Sequence, residues 1–278
     1  SKGKKKLNIF KEQDIGSLCI RWDTDIEEWV RQRWALMLQW YPARFLPYHP
    51  LDSSQLTYIY GNLKKKCWSS GEKVCTKPNH QCTRIICSSV QLPAVVRAGQ
   101  RLAARASRVL RHHDPDGSFQ LWNQAQAPAA IFSKLAKLVV LPIFAAVCPC
   151  GKRKLAKLSV VQLDASGFYN HCDVKRGLKR LLANISRAKY RAEHSIPVQR
   201  IDGITVMRDK PVLGYLGGSE YDARTDRQYI SFSEIVSIWQ FVIRDVYLTL
   251  GDLCIERVDG WNMGNTVSEE GTAVDTTE

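Results

Sequence analysis

Ser159-Val160-Val161-Gln162-Leu163-Asp164-Ala165-Ser166-Gly167-Phe168-Tyr169 is the stretch on which the reading of the fold turns. Its apolar residues lead into a carboxylate, and the pattern predicts a strand over 158–164 that ends at Asp164. A small residue, a glycine and an aromatic pair follow where the chain leaves that strand. Working outward, the next informative segment is Val258-Asp259-Gly260-Trp261-Asn262-Met263-Gly264-Asn265-Thr266-Val267-Ser268. Gly260 and Gly264 lack Cβ atoms, which permits positive φ and a close approach of the backbone to another group. On its own residues each segment has two readings. Asp164 is either a metal-binding carboxylate at a strand end or the N-cap of the following helix. The glycine loop either lies against a ligand or is a tight strand-to-helix turn with Met263 in the core.

The 278 residues suffice for a sizeable core, in one large or two modest domains, and 45% hydrophobic with 24% charged content is ordinary for a globular protein. No apolar run reaches the roughly 18 residues of a membrane helix. The longest candidate, Leu135 to Cys150, contains Lys137, Pro142 and Pro149 and is expected to be buried in protein. The formal net charge is +13, and the last ten residues hold four acids and no base, so the preceding chain carries an even larger basic excess. Such an excess favours a polyanionic partner through steering and counterion release. Nine cysteines, an odd number without a secretion signal, point to a reducing, intracellular compartment with mostly free thiols. The basic run Lys2-Gly3-Lys4-Lys5-Lys6 is open to three readings: a nuclear localisation signal, a phosphate-binding arm, or a solvated terminus. The absence of an initiator Met suggests a piece of a longer chain.

Along the chain, residues 24–40 read as an aromatic-rich helix with Trp29, Trp34 and Trp40, broken by Pro47 and Pro50. Residues 61–90 read as a polar, cysteine-bearing loop. Residues 93–113 read as a basic helix in which Arg97, Arg101, Arg105 and Arg108 share one face. Asp114-Pro115-Asp116-Gly117 is a turn signal. Residues 173–192 form a second basic helix, with Lys175, Arg176, Lys179, Arg180, Arg187, Lys189 and Arg191 opposite an apolar stripe from Val174 to Ile185. Strands are expected near 204–207, 212–216 and 253–258. Ser231 and Glu234 have capping-box spacing ahead of a helix whose stripe is Ile235, Ile238, Trp239 and Val242.

A carboxylate at a strand end is the usual setting for the magnesium ions of nucleotidyl transfer, where two metals about 3.5–4 Å apart clamp the attacking and leaving oxygens. The Val161–Tyr169 run resembles motif A of reverse transcriptases, in particular the telomerase and Penelope-like branch. The Val258–Ser268 run resembles motif B of that branch. The resemblance covers roughly residues 155–270. It implies an α+β fold: right-hand polymerase-like fingers and an incomplete palm, helices packed on a small antiparallel sheet, and a helical N-terminal region. It implies that Asp164 binds Mg2+, with the Ala165 carbonyl beside it, and that Tyr169 gates the sugar of a deoxynucleoside triphosphate. Gly260, Met263 and Gly264 would then line the nascent base pair. RNA or DNA template–primer would lie along Arg97, Arg101, Arg105 and Arg108 and along Lys175, Lys179 and Arg187. The chain departs from the family in two respects. Asn265-Thr266 and an acidic segment follow Met263-Gly264, and no Asp-Asp dipeptide exists to supply motif C. The expectation is a truncated reverse-transcriptase-like domain of a retroelement, inactive as this isolated chain. The expected division is a basic helical region over 1–115, fingers and palm over 116–268, and a disordered acidic tail over 269–278.

Cys67, Cys75, Cys82 and Cys87, with His80, are an alternative source of function, a zinc module in a non-catalytic basic nucleic-acid-binding protein. Their spacings match none of the usual paired knuckles. Lys152, Arg153, Lys154 and Lys157 either meet a triphosphate or form a solvated charge run. No P-loop, nucleophile elbow or His-Glu-x-x-His is present.

Overall fold

The computed structural model describes residues 25–63, 83–112, 145–147, 153–155, 172–195, 201–208, 214–219, 226–251, 253–257, 260–262 and 264–275. Two compact units divide the chain. One joins Ser1–Ser118 to Gly167–Glu278, and the other is Phe119–Ser166. In the smaller unit, β3 (Ala145–Val147) pairs antiparallel with β4 (Arg153–Leu155).

The larger unit is α+β. It begins with α1 (Ile26–Trp40), whose N-cap Asp25 accepts a hydrogen bond from the Glu28 backbone N–H. Trp29, Arg33 and Met37 recur every four residues and form the buried stripe of this helix. Two 3-10 turns, Ala43–Phe45 and Ser53–Gln55, carry the chain into β1 (Thr57–Leu63). β1 pairs antiparallel with β2 (Thr83–Ser88), from Tyr58 opposite Ser88 to Leu63 opposite Thr83. The polar loop expected over 61–90 is therefore corrected at both ends, where residues 61–63 and 83–88 are strand. Ile59 and Cys87 stand opposite each other across this pair and are buried with Leu248, Leu250 and Ile255, which lie far away in sequence.

α2 (Ala94–His112) is the central helix of this unit and packs against six later elements. Small residues make this possible. A Cβ at Gly99 would meet Phe45 Cγ and Tyr41 Oη at 2.9 Å, and Ala103 and Ala106 are fully buried. α3 (Val174–Ser195) is capped by Asp173, which accepts from the backbone N–H groups of Lys175 and Arg176. β5 (Gly203–Met207) is the middle strand of an antiparallel three-stranded sheet, between β6 (Gly214–Leu216) and β7 (Arg227–Ser231).

α4 (Phe232–Arg244) opens on the Ser231/Glu234 capping box expected from sequence, and both reciprocal hydrogen bonds are formed. Glu234 also accepts from Arg44 at 2.6 and 2.7 Å, tying the first 3-10 turn to the start of α4. Ile235, Ile238, Trp239 and Val242 are buried. β8 (Tyr247–Leu250) and β9 (Leu253–Glu256) form a hairpin, and β8 runs parallel to β1. The resulting four-stranded sheet, ordered β2-β1-β8-β9, is mixed.

α5 (Thr266–Asp275) is the last element. Residues 269–275 were expected in a disordered tail and are helical instead. Asn265 caps the helix, accepting from the Val267 N–H at 3.0 Å, and Glu270 is buried against Arg108 and Arg111 of α2. An acidic segment folds here because its cationic partners lie about 160 residues upstream.

The main core joins all five described helices to β5 and β7. Trp239 and Trp261 meet edge-to-face at 5.5 Å, as do Tyr41 and Phe241 at 5.1 Å. Such pairs contribute roughly 0.5–1.5 kcal/mol beyond burial. A second small cluster of Ile59, Cys87, Leu248, Leu250 and Ile255 lies on the four-stranded sheet.

Candidate nucleic-acid interface

The two basic helices behave differently once folded. In α2, three of the four arginines expected to face nucleic acid bond to protein. Arg97 Nε donates to the Leu92 carbonyl at 3.0 Å, and Arg105 Nη1 to the Arg208 carbonyl at 3.3 Å. Arg108 pairs with the buried Glu270 carboxylate at 2.5 Å. Only Arg101 of the four is exposed. The spacing that placed them on one face was read correctly, but that face lies along a helix wrapped by protein.

α3 keeps its polar face in solvent. Leu181, Asn184, Ile185, Ala188 and Ala192 are buried, while Lys175, Arg176, Lys179, Arg187 and Tyr190 are exposed. Between Val174 and Ser195 stand seven Lys or Arg and a single acid, Glu193. Lys189 is an exception to the outward pattern, lying 5.4 Å over the Phe232 ring. Arg187 reaches Asn184 Oδ1 at 2.5 Å, which orients its guanidinium along the helix. Of the predicted nucleic-acid-binding set, Lys175, Lys179 and Arg187 therefore share one exposed cationic surface with Tyr190.

The glycine loop between β9 and α5 is built into the core. Gly260 and Gly264 have φ of +73° and +110°, so the left-handed conformations their sequence allows are used. Gly260, Trp261 and Asn262 are buried, and Gly264 is exposed. Arg257, also buried, donates to the Gly260 carbonyl and to the Ile243 carbonyl. A Cβ on Gly264 would stand 2.7 Å from the Cys87 carbonyl of β2. The Trp261 indole fits against α3 and α5 only because Gly177 and Gly271 face it; added Cβ atoms would lie 3.2 and 2.4 Å from its ring. The strand-to-helix turn anticipated as one reading of this loop is present, with Trp261 as its core residue. Asp164, Ala165, Tyr169 and Met263 lie outside the described residues.

Two buried charge clusters lie in the larger unit, and neither was visible in the sequence. Arg33 donates to the Gln55 carbonyl at 2.9 Å, to Thr57 Oγ1 at 2.8 Å and to Asp245 Oδ2 at 2.5 Å. The Asp245 backbone carbonyl in turn accepts from Asn262 Nδ2 of the glycine loop at 3.5 Å. Glu270 binds Arg108 and Arg111 together. Burial pulls the Arg111 guanidinium below its ordinary range, an effect opposed by the adjacent Glu270 carboxylate. The available signal was positional: Arg33 stands on the Trp29–Met37 stripe, four residues from each.

Cys87 is the one member of the proposed zinc set within the described residues. Burial pushes its thiol up to about 11, despite the opposing charge of Arg257. Cys67, Cys75, Cys82 and His80 lie outside the described residues. Among the described residues no cluster of three or more His, Cys, Asp or Glu could hold a metal ion, and no helix is long and apolar enough to cross a membrane. Comparison of the chain with protein-family profiles, with characterised proteins and with solved structures found no match.

Proposed function

We propose that this chain is a reverse-transcriptase-like nucleotidyltransferase region of a retroelement that holds an RNA or DNA template–primer. The observation that carries the reading is the hairpin–loop–helix unit from β8 to α5. It has positive φ at both Gly260 and Gly264, and it follows the Asp164 run in chain order. Motif B of the resembled family calls for a strand, a glycine loop and a helix in that sequence. The cationic face of α3, which starts ten residues after Asp164, supports a role in holding phosphates.

In this reading Asp164, with the Ala165 carbonyl, holds Mg2+, and the ion supplies charge stabilisation to the transferring phosphoryl group. Tyr169, Met263, Gly260 and Gly264 border the deoxynucleoside triphosphate. The basic run at Lys2–Lys6 directs the protein to the nucleus. These 278 residues alone are not expected to polymerise, because one carboxylate does not make a two-metal clamp and no Asp-Asp dipeptide accompanies it.

The test is binding of the purified chain to an RNA–DNA hybrid by fluorescence anisotropy across a salt series. Each phosphate contact removed in Lys175→Gln and Lys179→Gln should flatten the log–log salt slope by roughly 0.7–0.9. Absence of binding at low salt would overturn the reading. Binding without any response to Mg2+ and a deoxynucleoside triphosphate would favour a non-catalytic nucleic-acid-binding protein. Efficient Asp164-dependent primer extension would contradict the expected inactivity.

A further inference from the structure

On the exposed face of α3, Tyr190 stacks on His194, with ring centroids 3.9 Å apart and planes 33° from parallel. The pairing is held by the backbone, since His194 Nδ1 lies 2.7 Å from the Tyr190 carbonyl oxygen. That contact assigns Nδ1 as the protonated nitrogen of the neutral ring, because a carbonyl only accepts. Tyr190 nevertheless remains 62% exposed, on a helix that also presents Lys175, Arg176, Lys179 and Arg187 to solvent. Further along, Leu182 is 43% exposed.

Helical geometry aligns these groups. Lys175, Lys179, Ser186 and Tyr190 fall within about 60° of one another around the axis at 100° per residue, and the stripe runs about 22 Å from end to end. It carries two ammonium groups at one end and an aromatic pair at the other, with exposed Leu182 and Ser186 between them.

A cationic track alone serves any polyanion. A stacked, solvent-exposed ring pair on that track adds something a duplex cannot use, because a duplex keeps its base faces covered by neighbouring bases. An unpaired strand offers both a phosphate backbone and free base faces. We infer that the exposed face of α3 binds single-stranded nucleic acid, with Lys175 and Lys179 meeting phosphates and Tyr190, backed by His194, stacking on one unpaired base. This deepens the proposed template–primer role by assigning α3 to the unpaired part of the template, and it rests on that reading.

The experiment compares a short single-stranded oligonucleotide, the same strand with its bases removed at abasic sites, and a blunt RNA–DNA hybrid of equal length, each titrated by anisotropy. The wild-type chain should prefer the base-bearing single strand over its abasic counterpart. Tyr190→Ala should weaken single-strand binding roughly five- to 150-fold, the range of one lost stacking contact. Tyr190→Phe should restore it, and hybrid binding should be unchanged in both variants. Lys175→Gln and Lys179→Gln should weaken single-strand and abasic binding alike.

Equal binding of abasic and base-bearing strands by the wild-type chain, or displacement of both by heparin at the same concentration, would overturn the inference and leave only a polyanion surface. An unaltered single-strand affinity in Tyr190→Ala would overturn it too. In either case intact hybrid binding leaves the template–primer reading standing. Loss of binding to all three ligands removes both. The comparison with the abasic strand uses the unmodified protein, so it decides the question even if a variant folds poorly.

Discussion

Arg33 and Asp245 form an ion pair across 212 positions of sequence, with Arg33 Nη2 2.5 Å from Asp245 Oδ2 and both side chains almost wholly out of solvent. The pair fastens α1 to the chain segment between α4 and β8, and through Thr57 to the first strand of the mixed sheet. The pairing is incomplete, because Arg33 Nε and Asp245 Oδ1 are buried without hydrogen-bond partners among the described residues.

Removing one member should leave the other charged and dry. Arg33→Met and Asp245→Leu are each expected to lower unfolding free energy by about 3–5 kcal/mol. The double variant should lose clearly less than the sum, since it removes both desolvation penalties. Urea denaturation of the four proteins measures this. Additive losses would mean that the two side chains do not act as a pair.

Glu270 should behave the same way at the other end of the fold. Glu270→Ala removes the buried carboxylate that Arg108 and Arg111 share and is expected to cost about 3–5 kcal/mol. Glu269, exposed and 4.0 Å from Arg108, serves as the comparison. Glu269→Gln should stay within roughly 0.5 kcal/mol of wild type. Loosening of α5 in Glu270→Ala should also admit water to Trp261, seen as a red shift in tryptophan emission.

Gly264 and Gly217 separate backbone strain from steric overlap. Both have φ in the left-handed region, +110° and +94°. A Cβ at Gly217 meets nothing within 4 Å, whereas at Gly264 it would stand 2.7 Å from the Cys87 carbonyl and 3.1 Å from Ile86 Cγ2. Gly217→Ala should therefore cost about 1–2 kcal/mol from strain alone. Gly264→Ala should cost a further 1–3 kcal/mol or so, because β2 would have to move. Equal losses in thermal denaturation would show that the loop is not packed on β2.

Cys87 sets an alkaline limit on stability. Its thiol ionises near 9 when unperturbed and near about 11 in the folded chain. Between those values the unfolded chain has released the proton and the folded chain has kept it, so stability falls as pH rises. The slope is about 1.4 kcal/mol per pH unit. Below pH 9 this contribution is fully present. Cys87→Val should flatten the decline between pH 9 and 11. The wild-type thiol should also resist a thiol reagent at pH 8 until denaturant is added. Burial raises the Tyr41 phenol as well, so Tyr41→Phe should remove part of any remaining decline above pH 10.

What could be read directly from the chain were features whose cause is local. The helices at Ala94–His112, Val174–Ser195 and Phe232–Arg244 follow from residues three and four apart. The Ser231/Glu234 cap follows from a spacing of three, and the positive φ of Gly260 and Gly264 from the absence of Cβ. Local pattern also identified the cationic face of α3, because its apolar stripe is continuous and its polar side reaches water.

The long-range pairings were decided only by tertiary structure. Arg97, Arg105 and Arg108 have the spacing of an exposed basic face, yet α2 is enclosed by elements that arrive later in the chain. The acidic residues after Ser268 have the composition of a solvated tail, yet Glu270 folds inward because Arg108 and Arg111 wait there. Residues 61–63 and 83–88 looked like loop because the apolar support of their strands, Leu248, Leu250 and Ile255, is more than 150 residues distant. The chemistry of each residue is written in the sequence. Whether a charge faces water, a phosphate or another charge depends on which distant segment covers it, and that is a property of the packed chain.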